Sequence, residues 1–313
     1  MRILILGGAG FIGSHLVEQL HNNGEHEMVV VDNLSSGLRD NIPQSIQFYK
    51  MDIRDHEVEH VFKKHQFDVV VNLAAQTMVP FSLKHPDEDA DINILGLINV
   101  LECCRKYSVK RIIFSSSAAV YGNNTNVPLK ENAVLMPMSF YGISKMAAEQ
   151  YLRVYHELYG LDIIIFRFAN VYGERQGNGG EGGVVSIFGR RIAAGLPLTL
   201  FGDGGQTRDF VYAGDIAEAI AAALNAEGCL VLNVSNGIEV SINELINNFA
   251  AISNKHLEIE YEDAREGDIY RSCLDNTALI KALNTSLQTS LQTGLAKTYS
   301  YFEDLIREED RLG

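Results

Sequence analysis

Tyr141 and Lys145 lie four residues apart, so on a helix both side chains would project from one face. A phenol, with a reference pKa of about 10, is a poor base at neutral pH. A neighbouring ammonium group lowers that pKa by favouring tyrosinate, which can then take a proton from a hydroxyl group. With 13 tyrosines in 313 residues, this spacing can also arise by chance on a surface helix. The pair therefore predicts a proton-transfer site only in combination with other signals.

Three serines, Ser115, Ser116 and Ser117, end a predicted strand ahead of this pair. In open parallel sheets, ligands bind at the carboxyl ends of the strands. A serine hydroxyl at that edge could hydrogen-bond the reacting oxygen and relay its proton. We therefore predict that Ser117, Tyr141 and Lys145 are catalytic. The structural alternative is a serine-rich turn beside an amphipathic helix.

A glycine-rich segment near the start of the sequence predicts a phosphate-binding loop. Gly7, Gly10 and Gly13 follow an apolar run, and Phe11 and Ile12 lead into a helix. Glycines at this spacing let the backbone turn tightly and approach a pyrophosphate, which the helix N-terminus stabilises. A plain glycine-rich turn is the alternative, and the strand, helix and spacing together argue against it.

An acidic residue in the right place favours NAD as the dinucleotide. Asp32 lies nineteen residues beyond Gly13, where a carboxylate would hydrogen-bond the adenosine ribose and repel the 2′-phosphate of NADP. Asp52 and Ile53 follow the third strand, where adenine contacts would fall, although a strand-end turn explains them nearly as well. A nicotinamide ring beside Tyr141 would accept hydride from the carbon whose hydroxyl loses its proton.

The hydrophobic pattern supplies a scaffold that brings such strand ends together. Short apolar runs alternate with amphipathic stretches, which predicts a doubly wound parallel α/β sheet of the Rossmann type. The predicted strands are Ile3–Leu6, Met28–Val31, Gln47–Tyr49, Val69–Leu73, Arg111–Ser115, Ile163–Arg167 and Leu230–Val234. The predicted helices are Gly13–Asn22, Val58–Lys64, Ile94–Lys106, Lys145–Leu158, Val184–Ala194 and a well-capped Asp215–Leu224.

The alternation of predicted strands and helices ends after Gly173. Two glycine-rich loops, 174–183 and 202–205, interrupt it there. We expect an NAD-binding domain made of residues 1–173 and 210–236. Residues 174–209 and 237–313 would form a smaller, discontinuous, mixed α/β cap that binds the substrate.

Composition excludes several classes of function. The net charge of −14 and the pI of about 5.1 argue against binding to nucleic acid or to anionic membranes. The apolar runs are too short for a transmembrane helix, and we see no signal-peptide core. The four cysteines show no Cys-x-x-Cys spacing. We therefore expect a reduced, cytoplasmic protein.

Taken together, these segments resemble the extended short-chain dehydrogenase/reductase family, an NAD-dependent epimerase/dehydratase family, in its UDP-glucose 4-epimerase-like branch. The resemblance covers nearly the whole chain. Its main segments are Gly7–Gly13, Asp32–Gly37, Asn72–Gln76, Ser115–Gly122, Tyr141–Lys145 and Arg167–Gly173.

The resemblance implies roles for individual residues. Ser117, Tyr141 and Lys145 would be the catalytic triad, Asn93 would support the cofactor side, and Asn170 would contact the substrate diphosphate. It also implies a homodimer formed through the helices around residues 94–106 and 145–158. Cofactor contacts are implied for Gly7, Gly10, Phe11, Ile12, Gly13, Asp32, Asn33, Ser36, Gly37, Asp52, Ile53, Leu73, Ala74, Ala75, Asn93, Ser115, Tyr141 and Lys145.

One position departs from the family pattern. Many relatives begin the motif after the fourth strand with histidine, whereas this chain has Asn72. The departure concerns the cofactor side of the site and leaves the predicted chemistry unchanged.

The residues after Ser117 bear on which reaction is catalysed. Related dehydratases and decarboxylases carry an acid directly after the catalytic serine or threonine, whereas here Ala118 and Ala119 follow. Elimination therefore lacks a proton-transfer group, which favours epimerisation at C4 of a nucleotide-sugar. The alternatives are an NAD(P)H-dependent reductase of a nucleotide-linked keto-sugar, a UDP-glucuronate 4-epimerase and, from another class, a non-catalytic dinucleotide sensor.

Substrate contacts are predicted in the second half of the chain. Arg208, in a loop that resembles the family's nucleotide-phosphate loop, would bind a diphosphate with its fork of donors. By the same resemblance Arg265 would contact phosphate and Asp268 the ribose, and Val184 would line the site. Ser272 stands where some relatives have a tyrosine, which leaves room for 2-acetamido sugars. Without the resemblance, ordinary Gly-Asp turns with solvated arginines would explain these loops.

A histidine pair could be mistaken for a metal site. His56 and His60 are spaced as in zinc proteases, but no third ligand is suggested, and Val58, Val61 and Phe62 form the apolar side of that helix. We expect both histidines to face solvent and predict no metal. Cys103 and Cys104 fall in an apolar helix, so we expect them in the core.

Overall fold

A computed structural model describes residues 1–177, 182–264 and 269–312 of the chain. The strands are β1 (Arg2–Leu6), β2 (Glu27–Asp32), β3 (Gln47–Lys50), β4 (Val69–Asn72), β5 (Arg111–Ser117), β6 (Asp162–Phe168), β7 (Asn170–Tyr172), β8 (Leu198–Phe201), β9 (Thr207–Arg208), β10 (Phe210–Tyr212), β11 (Cys229–Val234), β12 (Val240–Ser241) and β13 (Ile259–Glu262). The α-helices are α1 (Phe11–Asn23), α2 (Val58–His65), α3 (Val79–Lys84), α4 (Pro86–Ala90), α5 (Leu97–Lys106), α6 (Phe140–Tyr159), α7 (Val184–Ala193), α8 (Ala213–Ala222), α9 (Ile242–Ser253), α10 (Thr277–Leu283) and α11 (Leu291–Leu312).

The seven strands predicted for the main sheet all belong to one parallel sheet, in the order β11-β6-β5-β4-β1-β2-β3. The strand order reverses between β1 and β4. In doubly wound sheets the crevice for a ligand opens at this reversal, beyond the carboxyl ends of the strands. The predicted fold class is therefore confirmed.

Both faces of the sheet are buried, which explains why its strands read as continuous apolar runs. Val69 and Val71 face a cluster that includes α1 and α8, whereas Val70 faces a second cluster that includes α2, α5 and α6. Cys103 and Cys104 are buried in the second cluster, as predicted.

The helices α6 and α8 start at other residues than predicted. α6 begins at Phe140, not at Lys145, and the Ser139 hydroxyl caps it by accepting a hydrogen bond from the Gly142 N–H at 3.1 Å. α8 begins at Ala213, and within the described chain no side chain caps it, so the prediction of a well-capped helix was wrong. Asp215 instead accepts hydrogen bonds from the backbone and hydroxyl of Thr289, because tertiary packing brings that loop within reach.

The predicted helix 94–106 is divided. Residues Asp91–Gly96 form one turn of π-helix, and α5 follows from Leu97. Such turns often occur at functional sites.

Outside the main sheet, short strands pair as β7 with β10, β9 with β12 and β8 with β13. A third apolar cluster joins α7, α9 and α11 to these strands, with Phe188, Leu245, Phe249 and Tyr299 at its centre. No helix within the described residues is both long enough and apolar enough to cross a membrane.

Candidate active site

The glycine loop lies between β1 and α1 and packs so closely on its own backbone and on the segment after β4 that side chains at Gly7 and Gly13 do not fit. Gly7 has a φ of 75°, and a Cβ there would lie 2.7 Å from the backbone nitrogen of Ala74. A Cβ on Gly13 would lie 2.2 Å from the carbonyl oxygen of Gly7. Gly10 precedes α1, which begins at Phe11. Because the first N–H groups of a helix lack partners within it, this cradle suits an anion.

Asp32 ends β2 beside this loop. One carboxylate oxygen accepts a hydrogen bond from the Ala9 N–H at 2.9 Å, and the other accepts one from the Leu34 N–H at 2.8 Å. A Cβ on Gly37 would lie 2.6 Å from the Ala9 carbonyl carbon, so the segment after β2 packs closely on the glycine loop. Ser36, in the same segment, is exposed.

The predicted adenine-side residues form a small polar cluster over an apolar contact. Asp52 accepts a hydrogen bond from Asn33 at 2.8 Å and pairs with Arg54 at 2.9 Å. Hydrogen bonding from Arg54 lowers the pKa of Asp52 to about 2, although partial burial acts in the other direction. Ile53 is buried against Gly96, where a Cβ would come within 2.8 Å of it.

The segment after β4 forms the opposite wall of the glycine cradle. The Leu73 N–H donates to the Leu6 carbonyl at 2.9 Å, and Ala74 and Ala75 follow, half-buried. Asn72, the departure from the family pattern, is buried. Neither polar atom of its side chain has a hydrogen-bond partner among the described residues.

Tyr141 and Lys145 both project from the first turns of α6 into the interior, and both are buried. The Lys145 Nζ donates to the Ser115 carbonyl at 2.9 Å and lies 5.9 Å from the centre of the Tyr141 ring and 4.9 Å from that of Phe114. Burial lowers the pKa of Lys145 to about 8, and the carboxylate of Asp89 acts in the opposite direction.

Ser117 meets this pair from the end of β5. Burial raises the pKa of the Tyr141 phenol, whereas hydrogen bonding with the Ser117 side chain lowers it. The Ser117 Oγ also accepts a hydrogen bond from the Ala119 N–H at 3.2 Å, which caps a 3₁₀ turn that begins at Ala118. The three predicted catalytic side chains therefore converge at the carboxyl edge of the sheet.

Asn93 lies in the π-helical turn and connects three segments. Its Oδ1 accepts from the Gln76 N–H at 3.0 Å, and its Nδ2 lies 3.0 Å from the Gln76 carbonyl and 3.1 Å from the Ser144 hydroxyl. Ser144 in turn donates to the Tyr141 carbonyl at 3.0 Å. Asp89 belongs to the same buried group, through Gln76 and Asn93. Sequence reasoning missed Asp89 and Ser144, because nothing in their local sequence separates them from surface residues.

A buried ion pair is formed by Glu149, which lies one helical turn beyond Lys145 on α6. Glu149 contacts Arg167 through two hydrogen bonds, at 2.9 and 2.6 Å, and accepts a third from Ser116 at 2.6 Å. Arg167 also donates to the Tyr121 hydroxyl at 2.9 Å. Sequence analysis did not predict this pair, although the position of Glu149 four residues after Lys145 was a usable signal.

Two predicted substrate residues lie on short strands outside the main sheet. Asn170 begins β7 and is exposed, and its N–H donates to the Asp209 carbonyl at 2.9 Å. Arg208, in β9, is half-buried and donates to the Thr207 carbonyl at 2.8 Å. Asp209 itself is buried, and its carboxylate binds the backbone N–H groups of Asn236 and Gly237, at 2.9 and 3.0 Å. Asp209 therefore ties the residue that follows Arg208 to β7 and to the loop at Asn236 and Gly237.

Val184 is half-buried at the start of α7, and Ser272 is half-buried between two β-bridge positions. The other predicted substrate residues, Arg265 and Asp268, lie outside the described residues.

His56 and His60 are both exposed, as predicted. In the ranges that the structure describes, no three side chains of the metal-binding types come together.

With this geometry established, comparison with known proteins identifies the family. Residues 3–234 match the NAD dependent epimerase/dehydratase family. The chain belongs to this family. Over 311 residues it is 38% identical to the UDP-glucose 4-epimerase of Mycolicibacterium smegmatis. The aligned residues cover 97% of this chain and 99% of that protein.

Solved structures of the family have the same fold. The crystal structure of Thermotoga maritima UDP-glucose 4-epimerase with UDP-glucose matches with a TM-score of 0.94 and 40% identity, over 98% of this chain and 100% of that chain. The Thermus thermophilus UDP-glucose 4-epimerase complex with NAD matches with a TM-score of 0.91 and 40% identity, over 96% of this chain and 99% of that chain. These similarities confirm the family inferred from the sequence motifs.

Proposed function

We propose that this protein is an NAD-dependent nucleotide-sugar 4-epimerase that acts on UDP-glucose and UDP-galactose. The observation that carries the proposal is the convergence of Ser117, Tyr141 and Lys145 at the carboxyl edge of the sheet, beside the glycine cradle. Membership of the epimerase/dehydratase family and similarity to UDP-glucose 4-epimerases over nearly the whole chain support it.

The cradle fits NAD on structural grounds. Gly7 and Gly13 allow the tight turn, because a Cβ at either position would collide with neighbouring backbone. The start of α1 at Phe11 then offers N–H groups and a positive helix end to a pyrophosphate. The Asp32 carboxylate at the edge of the cradle favours a free ribose hydroxyl over a 2′-phosphate. When bound there, NAD would supply a hydride acceptor for the sugar C4 and, once reduced, a hydride donor.

Tyr141 acts as the base that takes the proton of the C4 hydroxyl and later returns it. Its burial opposes ionisation, so the tyrosinate depends on positive charge nearby, and the Lys145 ammonium supplies that charge. Ser117 hydrogen-bonds the reacting oxygen and Tyr141 together, which keeps the proton path short.

Epimerisation is favoured over elimination of water because the position after the catalytic serine holds no acid. Ala118, in the 3₁₀ turn that follows Ser117, offers no group that could transfer a proton to or from C5 or C6. An enzyme without that group returns hydrogen to C4 and gives no net redox change.

Nucleotide binding is assigned to the cap, made of residues 174–209 and 237–313. We propose that Asn170, Val184, Arg208, Arg265 and Asp268 hold the nucleotide diphosphate and its ribose. Arg208 supports the assignment by its place in β9, next to Asp209, whose buried carboxylate ties the surrounding loops together. The guanidinium fork suits a diphosphate.

The sugar pocket accepts 2-acetamido sugars in this proposal, because Ser272 is smaller than a tyrosine. UDP-glucose and UDP-N-acetylglucosamine should be compared on wild type and Ser272→Tyr. We expect the substitution to reduce activity on the acetamido sugar alone. Equal loss on both substrates would show that Ser272 does not select the sugar.

The function itself is tested by incubating purified protein with UDP-, dTDP- and GDP-sugars, without added cofactor, while following the anomeric NMR signals. Interconversion of UDP-glucose and UDP-galactose is the expected result. Net consumption of NADH with a keto-sugar would identify a reductase, and activity confined to UDP-glucuronate would identify the uronic acid epimerase. Cofactor binding without turnover of any sugar would indicate a sensor.

We also propose a cytoplasmic homodimer. Ile143, Tyr151, Val154 and Leu158 form an apolar, exposed stripe along α6, which a second copy of the chain would cover. The four cysteines are free, which suits a reducing compartment. Sedimentation should show a dimer for wild type and a monomer for Val154→Glu. Tyr261→Glu, at an exposed position far along the chain, is the control and should leave the dimer intact.

A further inference from the structure

Asp89 is a buried carboxylate beside the catalytic helix, with only 1% of its surface exposed. It lies on α4, which packs against α6. Its Oδ1 accepts hydrogen bonds from the Gln76 amide at 2.6 Å and the Asn93 amide at 3.2 Å. Its Oδ2 has no hydrogen-bond partner within the described residues. Burying a carboxylate that is only half satisfied costs free energy, so its presence calls for a compensating interaction.

The ionisable groups whose pKa values Asp89 influences belong to the catalytic machinery. They are Lys145 and Tyr141 on α6. Glu149 lies one turn further, already paired with Arg167. The other acids of its own helix, such as Asp87, are exposed. The Asp89 carboxylate opposes the effect of burial on the pKa of Lys145 and adds to the effect of burial on the pKa of Tyr141.

We propose that Asp89 is a positioning residue that supplies the counter-charge of the active site, keeping Lys145 an ammonium ion and setting the pH range in which Tyr141 ionises. The proposal rests on the function proposed above and adds a residue to it. Asp89 does not contact the predicted path of the proton. It acts through Lys145 and Tyr141, whose side chains take part in the proposed proton transfer.

The reason lies in the charge that the site must keep while it works. Lys145 is buried, and an uncompensated buried ammonium ion gives up its proton. The Asp89 carboxylate stabilises the ammonium ion, so Lys145 stays protonated both when Tyr141 is ionised and when it has taken up a proton. Glu149 cannot replace Asp89 in this role, since Arg167 and Ser116 already use its oxygens.

The same carboxylate also fixes the geometry of the site. It accepts from the Asn93 amide, which is within hydrogen-bond distance of Ser144, and Ser144 donates to the Tyr141 carbonyl. Asp89 thus holds the π-helical turn against the first turn of α6. Charge and position can be separated experimentally, because asparagine keeps an oxygen for both accepted hydrogen bonds and removes only the charge.

The test is a pH titration of Asp89→Asn with NAD bound and no sugar present, following the ultraviolet absorbance of tyrosinate. The chain has no tryptophan, and subtracting the same titration of Tyr141→Phe isolates the Tyr141 signal. We expect Tyr141 to ionise about one pH unit lower, or more, than in wild type. Asp87→Asn, the same charge change at an exposed position of the same helix, should leave the titration unchanged.

A second readout uses turnover. The profile of kcat against pH should move as a whole to lower pH in Asp89→Asn, since loss of the carboxylate favours tyrosinate and disfavours the lysine ammonium alike. A folded variant with an unshifted titration would overturn the proposal, and so would lower turnover with an unshifted profile. If the titration shifts but no sugar is epimerised by wild type, the proposed function fails and the role of Asp89 stands.

A third measurement does not depend on how well the single variant folds. Lys145→Met leaves the Asp89 carboxylate buried without its counter-charge, so adding Asp89→Asn to that background should raise the melting temperature by about 2 °C or more. A fall in melting temperature in the double variant would show that the two charges do not compensate one another.

Discussion

Two buried polar networks influence Lys145, and they are built differently. In the closed network, Glu149 has its oxygens occupied by Arg167 and Ser116, and the hydrogen bonds continue to Tyr121. In the open network, Asp89 uses one oxygen only, within the part of the chain that the structure describes. Both carboxylates are almost fully buried, so burial alone does not distinguish them.

The difference indicates a structural role for Glu149 and an electrostatic role for Asp89. A carboxylate bound by a guanidinium fork has its charge neutralised by that partner, so it mainly fixes β6 against α6. A carboxylate that lacks such a partner exerts its field on the nearest ionisable groups, which here are Tyr141 and Lys145. The closed network should therefore govern stability, and the open network the pH dependence of catalysis.

The largest effect is expected at the proposed base. Tyr141→Phe removes the proposed base and should lower kcat about 1,000-fold. NAD should stay bound, because the glycine cradle and Asp32 are untouched. Turnover can be measured by sugar NMR and retained cofactor by its absorbance after denaturation. Turnover within tenfold of wild type would exclude Tyr141 as the base.

Breaking the closed network should also have a large effect, but on the free energy of unfolding and not on the rate of catalysis. Arg167→Met leaves the Glu149 charge buried without a partner and should lower the free energy of unfolding by about 3 kcal/mol, measured with urea. The control is Arg105→Met, which removes the exposed ion pair with Glu102. That control should scarcely change the unfolding curve, because exposed pairs contribute little. Equal effects of the two substitutions would contradict the distinction.

A smaller effect is expected at Ser144, where the open network contacts α6. Ser144→Ala removes the hydroxyl between Asn93 and the Tyr141 carbonyl and should cost about 1 kcal/mol of unfolding free energy. We also expect kcat to fall more than KM changes, since the altered contact positions Tyr141. A change in KM alone would place the effect at substrate binding.

The smallest effect should appear at a carboxylate that is paired yet partly solvated. Hydrogen bonding from Arg54 holds the pKa of Asp52 at about 2, below its ordinary value. Because this pKa is lowered on folding, the stabilisation is present above about pH 4 and is lost as pH falls towards 2. Asp52→Asn should therefore be less stable than wild type at neutral pH, and the two should converge near pH 2. A gap that stays constant between pH 6 and pH 2 would rule out this ionisation as its source.

Most of the fold was predictable because its signals are local. Apolar runs such as Val69–Val71 identify buried parallel strands, and the spacing of Gly7, Gly10 and Gly13 identifies the phosphate loop, since only glycine fits that turn. The start of α6 was missed by five residues because its cap, Ser139, lies behind a weak helical pattern. The division of the helix at Asp91–Gly96 was missed because no periodicity distinguishes a single π-turn.

By itself, the sequence determined the fold class, the cofactor cradle and the pairing of Tyr141 with Lys145 on one helix face, since each depends on residues close together along the chain. Which carboxylates influence Lys145, and which hydrogen bonds each of them accepts, depends on how the chain folds. Asp89 is 56 residues from Lys145, and Glu149 is 18 from Arg167. Burial and hydrogen-bond partners arise from packing between distant segments. The charge that sets the chemistry of this site therefore cannot be inferred from any single stretch of sequence.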